Sequence, residues 1–213
     1  MITIIDSKNT YISENAKLGD NCVIYPNVVI EGNTVIGDNT TIYMSSYIKD
    51  SVIGKNNVIY TSYIIDSKIG DNNQIGPYAN IRSGNDIGSS NRLGSFVELK
   101  ENSIGNGNKI PHLSFIGNAI VKENVHIGCG SITVNKKFDS KIGERETTII
   151  EDNSFIGCNV NLLAPLKIGM GSVIAAGSTI TDNVPDNALA VARTRQTICL
   201  LYTSPSPRDR QKS

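Results

Sequence analysis

The stretch that decides the fold is residues 12–48, which read ISENAKLGDNCVIYPNVVIEGNTVIGDNTTIYMSSYI. An aliphatic residue recurs in this stretch at every sixth position. Neither the 3.6-residue period of a helix nor the two-residue alternation of a strand gives this spacing. The positions in this and the later runs are Ile12, Leu18, Ile24, Ile30, Ile36, Ile42, Ile48, Ile53, Ile59, Ile69, Ile75, Ile81, Ile87, Leu93, Leu99, Ile104, Ile110, Ile116, Ile150, Ile156, Leu162, Ile168, Ile174 and Ile180.

Each six-residue unit predicts a short strand followed by a corner. Gly often follows the aliphatic residue, with Asn, Asp or Ser soon after, and these residue types tolerate the tight or left-handed backbone of a corner. Three such sides close one triangular coil, and stacked coils bury a continuous aliphatic column. The predicted fold is an all-β, left-handed parallel β-helix of hexapeptide repeats, whose hand follows the repeat family. About ten coils at ~4.8 Å each give a prism of roughly 50 Å.

Composition and charge favour a soluble cytoplasmic protein. The 213 residues carry 20 Lys and Arg against 20 Asp and Glu, which argues against binding nucleic acid or a membrane surface by bulk charge. No run approaches the roughly 18 apolar residues that a membrane span needs. The N-terminus lacks the basic and apolar regions of a secretion signal, and four Cys in this length do not make a disulfide scaffold.

The periodicity is interrupted between Thr133 and Ile149, so residues 134–147 are predicted to form a loop extruded from the solenoid. Loops on a rigid solenoid commonly carry function, although a tolerated surface insertion is the alternative. Two His, His112 and His126, cannot supply the three His ligands of zinc-dependent β-helix enzymes. His112, as a neutral imidazole, could accept a proton from an amine that attacks a thioester, or it could be structural.

Arg82 and Lys100 lie eighteen residues apart, which is the length of one coil. We therefore expect them to stack in adjacent coils, where they could clamp a phosphate group. The alternative is a pair of solvated surface charges.

Several longer runs resemble the acetyltransferase domain of the bacterial bifunctional uridyltransferase/glucosamine-1-phosphate acetyltransferase family, GlmU. The resemblance extends from about Ile4 to Thr197. Its specific stretches are TIIDSKNTYI at 3–12, GPYANIRSG at 76–84, GSFVELK at 94–100, HLSFIG at 112–117, GCGSITVN at 128–135 and ALAVAR at 188–193.

This resemblance implies transfer of acetyl from acetyl-CoA to the amine of glucosamine 1-phosphate, in a homotrimer whose active sites lie between subunits. It implies no metal requirement. Matched position by position, it makes His112 the catalytic base, places Asn135 next to the reacting groups, and has Arg82 and Lys100 hold the sugar phosphate. It also implies that Cys129, Cys158 and Ala176 contact acetyl-CoA, at positions where the family has small residues. Arg193 matches the basic residue near the CoA phosphates.

The chain departs from the family pattern at positions that bear on the acceptor sugar. Phe115 replaces a Tyr, His126 replaces a substrate-contacting Asn, and the loop after Asn135 is several residues longer than usual. A substrate-binding Lys in this loop matches Lys141 when counted forward from Asn135, or Arg145 when counted back from Thr148. The acceptor could therefore be another amino-sugar phosphate, and a non-catalytic β-helix scaffold is the alternative of a different class.

Two domain predictions complete the sequence interpretation. Residues 1–198 are expected to form the β-helix domain, without the Gly-rich nucleotide loop of a uridyltransferase domain, as in a fragment of a bifunctional enzyme. Residues 199–213 resemble a translated sequencing adaptor, and Pro205 and Pro207 oppose a regular continuation. A natural Ser- and Pro-rich tail is the alternative.

Overall fold

A computed structural model describes residues 1–136 and 144–198 of the chain. The first ten strands are β1 (Thr3–Ile4), β2 (Tyr11–Ile12), β3 (Lys17–Leu18), β4 (Val23–Ile24), β5 (Val29–Glu31), β6 (Val35–Ile36), β7 (Thr41–Ile42), β8 (Tyr47–Lys49), β9 (Val52–Ile53) and β10 (Val58–Ile59). The next ten are β11 (Tyr63–Ile65), β12 (Ser67–Ile69), β13 (Gln74–Ile75), β14 (Asn80–Ile81), β15 (Asn85–Ile87), β16 (Arg92–Ser95), β17 (Glu98–Lys100), β18 (Ser103–Ile104), β19 (Lys109–His112) and β20 (Phe115–Gly117). The last ten are β21 (Ala119–Val121), β22 (His126–Ile127), β23 (Ile132–Val134), β24 (Thr148–Ile150), β25 (Phe155–Ile156), β26 (Asn161–Leu163), β27 (Leu166–Ile168), β28 (Val173–Ile174), β29 (Thr179–Ile180) and β30 (Leu189–Ala190).

From β1 to β29, every third strand belongs to the same sheet, so the chain winds around a prism with three parallel faces. Sheet 1 runs from β1 through β4 and β7 to β28 and β30, and has 11 strands. Sheet 2 runs from β2 to β29 with 10 strands, and sheet 3 runs from β3 to β27 with 9. The predicted fold class, a left-handed parallel β-helix of hexapeptide repeats, is confirmed.

The core is the aliphatic column that the periodicity predicts. From Ile24 to Ile174 the inward residues of the six-residue ladder are at most 3% exposed. Ile64, which also points inward, follows Ile59 and precedes Ile69 by five residues each, because two sides of this coil are one residue shorter. Val121, Ile127 and the buried Thr133 continue the column beyond the last regular step of the sequence pattern.

Left-handed residues turn the corners, and many of them are Asn. Buried Asn side chains also tie consecutive coils together beside the sheet 2–sheet 3 corner. Asn102 donates its side-chain amide to the Asn85 side-chain oxygen at 2.9 Å and to the Ile116 carbonyl at 2.8 Å. Its own oxygen accepts the Ala119 N–H at 2.9 Å. These bonds satisfy polar groups that burial would otherwise leave unpaired, and they fix the backbone beneath the outer face of sheet 2.

The extruded segment is narrower than predicted. Thr133 and Val134 still pair with β26, and β24 already begins at Thr148. The Glu146 N–H donates to the Asn135 carbonyl at 2.9 Å, which closes the base of the segment. The predicted start at residue 134 was therefore wrong by one residue, because Val134 still has a backbone partner on the next coil, whereas the predicted end at residue 147 is confirmed.

Candidate functional site

Two cations lie at equivalent positions on the outer face of sheet 2. β14 pairs with β17 so that Ile81 aligns with Leu99, and the Arg82 N–H donates to the Leu99 carbonyl at 2.9 Å. Arg82 and Lys100 therefore follow each other in consecutive coils, as their spacing predicts. Each holds a carboxylate: Arg82 pairs with Glu98 at 2.7 Å, and Lys100 pairs with Glu101 at 3.2 Å. Each cation has further N–H groups, so a phosphate that binds this pair would share the two cations with these carboxylates.

Asn135 lies on the same edge of sheet 2, one coil beyond Gly117. The Asn135 side-chain amide donates to the Asn118 side-chain oxygen at 2.7 Å. Gly117 aligns with Lys100 in the ladder, so Asn135 and the two cations share one edge of the prism. Of the two candidates for the loop cation, Lys141 lies outside the described residues. The positive charge of Arg145 helps to lower the pKa of Glu101, so Arg145 is close to this edge.

Phe115 also belongs to this face and fills the space over Gly117. It aligns with Glu98 on one side and with Ile132 on the other. A Cβ atom on Gly117 would lie 2.7 Å from the Phe115 ring tip and 2.8 Å from the Asn135 amide nitrogen. The absence of a side chain at Gly117 therefore lets the ring reach toward Asn135.

The predicted base and the predicted CoA residues lie together on the corner between sheets 1 and 2. The His112 carbonyl accepts the Gly130 N–H at 3.4 Å, and the Cys129 carbonyl accepts the Asn159 N–H at 2.7 Å. The Cys158 carbonyl accepts the Gly177 N–H at 2.8 Å. In this register His112, Cys129, Cys158 and Ala176 occupy the same corner of four consecutive coils.

The C-terminal part of the described chain runs along this corner. Arg193 packs beside Gly177, with its Cδ 3.8 Å from where a Gly177 Cβ would lie. His112 is exposed and lines a shallow pocket with Tyr60, Pro77 and Ser95. An acyl donor could thus lie along the corner from Arg193 to His112, with its reactive end at the imidazole.

His126 lies apart from these groups, on the outer face of sheet 1. It stacks on Phe155 with ring centroids 4.9 Å apart and an interplanar angle of 9°. Burial lowers the pKa of His126, and the nearby charge of Lys109 lowers it further. Within one chain it does not join Arg82 and Lys100, which belong to a different side of the prism.

The sequence interpretation missed the groups that hold the candidate residues in place. Glu98 and Glu101 pair with the two cations, and Asn118 connects Glu101 to Asn135. Glu101 directly follows Lys100, and Asn118 directly follows Gly117 one coil later. The coil length therefore places Glu101, Asn118 and Asn135 at the same corner of consecutive coils, and this spacing is the signal that could have identified them. Across residues 1–136 and 144–198, no group of three His, Cys, Asp or Glu side chains could hold a metal ion.

The comparisons with known proteins agree with the fold. Residues 147–182 match the family model described as "Bacterial transferase hexapeptide (six repeats)", and residues 7–85 match the "GMPPB C-terminal domain". Among solved structures, the UDP-N-acetylglucosamine acyltransferase of Francisella novicida has a TM-score of 0.63 at 22% identity, over 90% of this chain and 67% of that one. LpxA of Bacteroides fragilis has a TM-score of 0.61 at 21% identity, over 85% and 69%. These structures share the fold.

The fold and the matched repeats define a hexapeptide-repeat β-helix protein. More specifically, the chain is a homologue of the bifunctional GlmU proteins. It is 52% identical over 195 residues to the protein of Geobacillus sp. strain WCH70, and 48% identical over 196 residues to that of Exiguobacterium sp. strain AT1b. These alignments cover 92% of this chain and 42% and 43% of the relatives, so the chain spans less than half of their length. The resemblance to the acetyltransferase domain of this family is confirmed.

The part of the chain that the structure describes has no helix long and apolar enough to cross a lipid bilayer.

Proposed function

We propose that the chain is an acetyltransferase that moves the acetyl group of acetyl-CoA to the amine of glucosamine 1-phosphate. The observation that carries this proposal is the 48–52% identity to bifunctional GlmU proteins over 92% of the chain. The second support is the arrangement of a candidate base, a phosphate clamp and a donor corner on neighbouring coils. The product would enter the synthesis of UDP-N-acetylglucosamine, in the cytoplasm.

In the proposed reaction the neutral amine attacks the thioester carbonyl carbon, and the C–S bond breaks as CoA leaves as the thiol. His112 accepts the proton that the amine loses and passes it to the departing CoA sulfur, so that the thiol is released and the imidazole is neutral again. Arg82 and Lys100 hold the dianionic phosphate, because two fixed cations match its charge and its oxygens. Asn135 contacts the reacting groups. Phe115, His126 and the loop cation, Lys141 or Arg145, contribute to the acceptor pocket.

Acetyl-CoA is proposed to lie along the sheet 1–sheet 2 corner. The small side chains of Cys129, Cys158 and Ala176 leave room for the pantetheine arm, and Arg193 neutralises the CoA phosphates. With His112, the residues implied for this corner come from four consecutive coils and the segment that follows them. The transfer itself needs no metal.

We also propose that the chain acts as a homotrimer. Tyr78, Phe96 and Leu113, called here the corner ridge, occupy three consecutive coils of the sheet 1–sheet 2 corner and are 55%, 58% and 59% exposed. Exposed apolar residues that adjoin one another favour burial against another chain. The ridge adjoins His112, and His126 lies on another side of the prism from Arg82, so a second copy could bring the separated groups together.

The experiment that tests the function is release of free CoA thiol from acetyl-CoA by the full chain. Release that depends on glucosamine 1-phosphate supports both the reaction and the acceptor. Release only with galactosamine 1-phosphate keeps the chemistry and changes the acceptor. A folded trimer that is silent with both sugars would contradict the proposal and favour a non-catalytic scaffold.

His112→Ala is the variant that tests the proposed base. We expect kcat to fall about 100-fold or more, the usual scale for a general base, while the trimer and the circular dichroism stay unchanged. Lys68→Ala, on the outer face of sheet 3, is the matched control and should keep full activity. Turnover by the His112 variant within threefold of the parent would show that this imidazole is not the base.

A further inference from the structure

A chain of polar contacts links the proposed phosphate clamp to Asn135. The Lys100 ammonium lies 3.2 Å from one carboxylate oxygen of Glu101. The other Glu101 oxygen accepts the Asn118 side-chain amide at 2.7 Å. The Asn118 oxygen in turn accepts the Asn135 side-chain amide, also at 2.7 Å. These four side chains are called the relay below.

The polarity of the relay follows from the chemistry of Glu101. An ionised carboxylate can only accept hydrogen bonds, so Asn118 must turn its NH2 group toward Glu101. The Asn118 side chain then has its oxygen directed toward Asn135. Because this oxygen is an acceptor, Asn135 must donate to it with its own NH2 group. The side-chain oxygen of Asn135 takes no part in the relay, so it is the acceptor atom that Asn135 can offer to a ligand.

The charge state of Glu101 supports this direction. Its hydrogen bond from Asn118 lowers the pKa of Glu101, and the contact with Lys100 and the charge of Arg145 lower it further. The carboxylate is thus ionised at neutral pH, and it cannot act as a donor that would reverse the relay.

The backbone conformation at Glu101 is one that a Glu residue adopts less readily than Gly, Asn or Asp. Its φ is 54°, in the left-handed region that L-residues other than Asn and Asp rarely adopt. The other left-handed positions of the sheet 2–sheet 3 corner nearby are held by Asp66, Gly84 and Asn118, which tolerate this region better. A Glu at such a position is consistent with a role for its carboxylate.

We propose that Glu101 is a positioning residue that, through Asn118, makes Asn135 present its side-chain oxygen to the attacking amine of the acceptor. This inference rests on the proposed acetyltransferase function. The Asn135 oxygen accepts an N–H of the amine and orients the nitrogen lone pair toward the thioester carbon. The relay also ties this orientation to Lys100, which holds the phosphate of the same acceptor.

Glu101→Gln tests the polarity at almost constant shape. Because the Lys100 ammonium can only donate, it takes the single oxygen of the introduced amide, and the NH2 group of that amide then faces Asn118. The relay is reversed, and Asn135 presents NH2 to the amine. We expect kcat to fall about tenfold, while the KM for the sugar phosphate rises no more than about twofold, because Lys100 is still present. Asp66→Asn, at the same corner two coils earlier, is the matched control and should leave both constants unchanged.

A second substitution should repair the first. In the double variant Glu101→Gln with Asn118→Asp, the acceptor-only carboxylate introduced at position 118 accepts from the amide introduced at position 101 and from Asn135. The original polarity of Asn135 returns, and kcat should recover to within about threefold of the parent. A double variant as slow as Glu101→Gln would overturn the relay. So would a single variant in which KM rises and kcat is unchanged, because Glu101 would then only tether Lys100.

A readout without turnover separates this inference from the proposed function. In ¹H–¹⁵N spectra of the trimer, the Asn118 and Asn135 side-chain amide signals should both shift in Glu101→Gln, and the Asn135 signal should return in the double variant. If the parent releases no CoA with either sugar while these signals behave as stated, the acetyltransferase proposal fails and the relay polarity stands. If the parent is active and the Asn135 signal does not respond to Glu101→Gln, the relay is wrong.

Discussion

Gly117 is the residue around which the acceptor side of the candidate site is packed. Any side chain there would meet the Phe115 ring tip at 2.7 Å and the Asn135 amide at 2.8 Å. The Gly117 backbone is held from beneath, because its N–H donates to the Thr133 hydroxyl at 2.8 Å. The para carbon of Phe115 therefore lies close to Asn135, at the end of the face where Lys100 is also found.

This placement predicts the effect of Phe115→Tyr. The added hydroxyl would extend from the ring tip past Gly117, toward Asn135 and the proposed acceptor. We expect the KM for glucosamine 1-phosphate to fall about three- to tenfold, with kcat changed less than twofold, since a new hydrogen bond to a bound sugar phosphate acts on binding. Steady-state kinetics with both amino-sugar phosphates measure this. A KM that rises for both sugars would contradict this prediction, because it would mean that there is no space for a hydroxyl beyond the ring. Phe115→Leu is the control for loss of the aromatic ring.

At the scale of the elements, the decisive point is where β20 meets β23. Their ladder is formed at Phe115 and Ile132, and at the next position a buried Thr133 replaces the aliphatic residue of the column. The Thr133 hydroxyl accepts the Gly117 N–H at 2.8 Å and donates to the Gly117 carbonyl at 3.0 Å. A side chain thus supplies bonds that the backbone of the next coil would otherwise provide.

Thr133→Val removes these two bonds and keeps the shape. We expect the free energy of unfolding to fall by about 2 kcal/mol, because a buried N–H and a buried carbonyl lose their partner. Urea unfolding followed by circular dichroism measures the change. Thr179→Val, at an exposed outward position of β29, should change stability by less than about 0.5 kcal/mol. Equal losses in the two variants would show that the hydroxyl of Thr133 has no special role.

The six-residue period was sufficient to predict the three parallel sheets, because one inward aliphatic residue per side is a strictly local requirement. The requirement for an inward aliphatic residue led the sequence interpretation to end the aliphatic column before Thr133, because a polar residue at an inward position breaks the pattern. Only the structure shows its hydroxyl on Gly117. Likewise, the Arg82–Lys100 stacking followed from coil length, whereas the link from Glu101 through Asn118 to Asn135 depends on side-chain directions that spacing does not specify.

At the scale of the whole molecule, the candidate groups are distributed over the prism. His112 and the proposed CoA residues lie on the sheet 1–sheet 2 corner, Arg82 and Lys100 lie near the opposite edge of sheet 2, and His126 lies on sheet 1. A straight solenoid cannot fold these surfaces onto one another. A site that uses all of them needs a second copy of the chain, and the corner ridge is the apolar surface closest to His112.

The corner ridge allows assembly to be tested separately from folding. Phe96 has a φ of 56° and stacks on Tyr78 with ring centroids 5.1 Å apart. Asn adopts this left-handed backbone region more readily than Phe, so Phe96→Asn should keep or slightly raise the stability of the single prism. The same substitution removes the central apolar side chain of the corner ridge. We expect a monomer at about 10 μM by sedimentation velocity, with CoA release reduced at least tenfold and partly restored at higher protein concentration by mass action.

Val52→Thr, on the exposed face of sheet 3, should leave both assembly and activity unchanged. A trimer that survives Phe96→Asn would show that the subunits meet elsewhere, and a monomer with full activity would show that one prism contains the complete site.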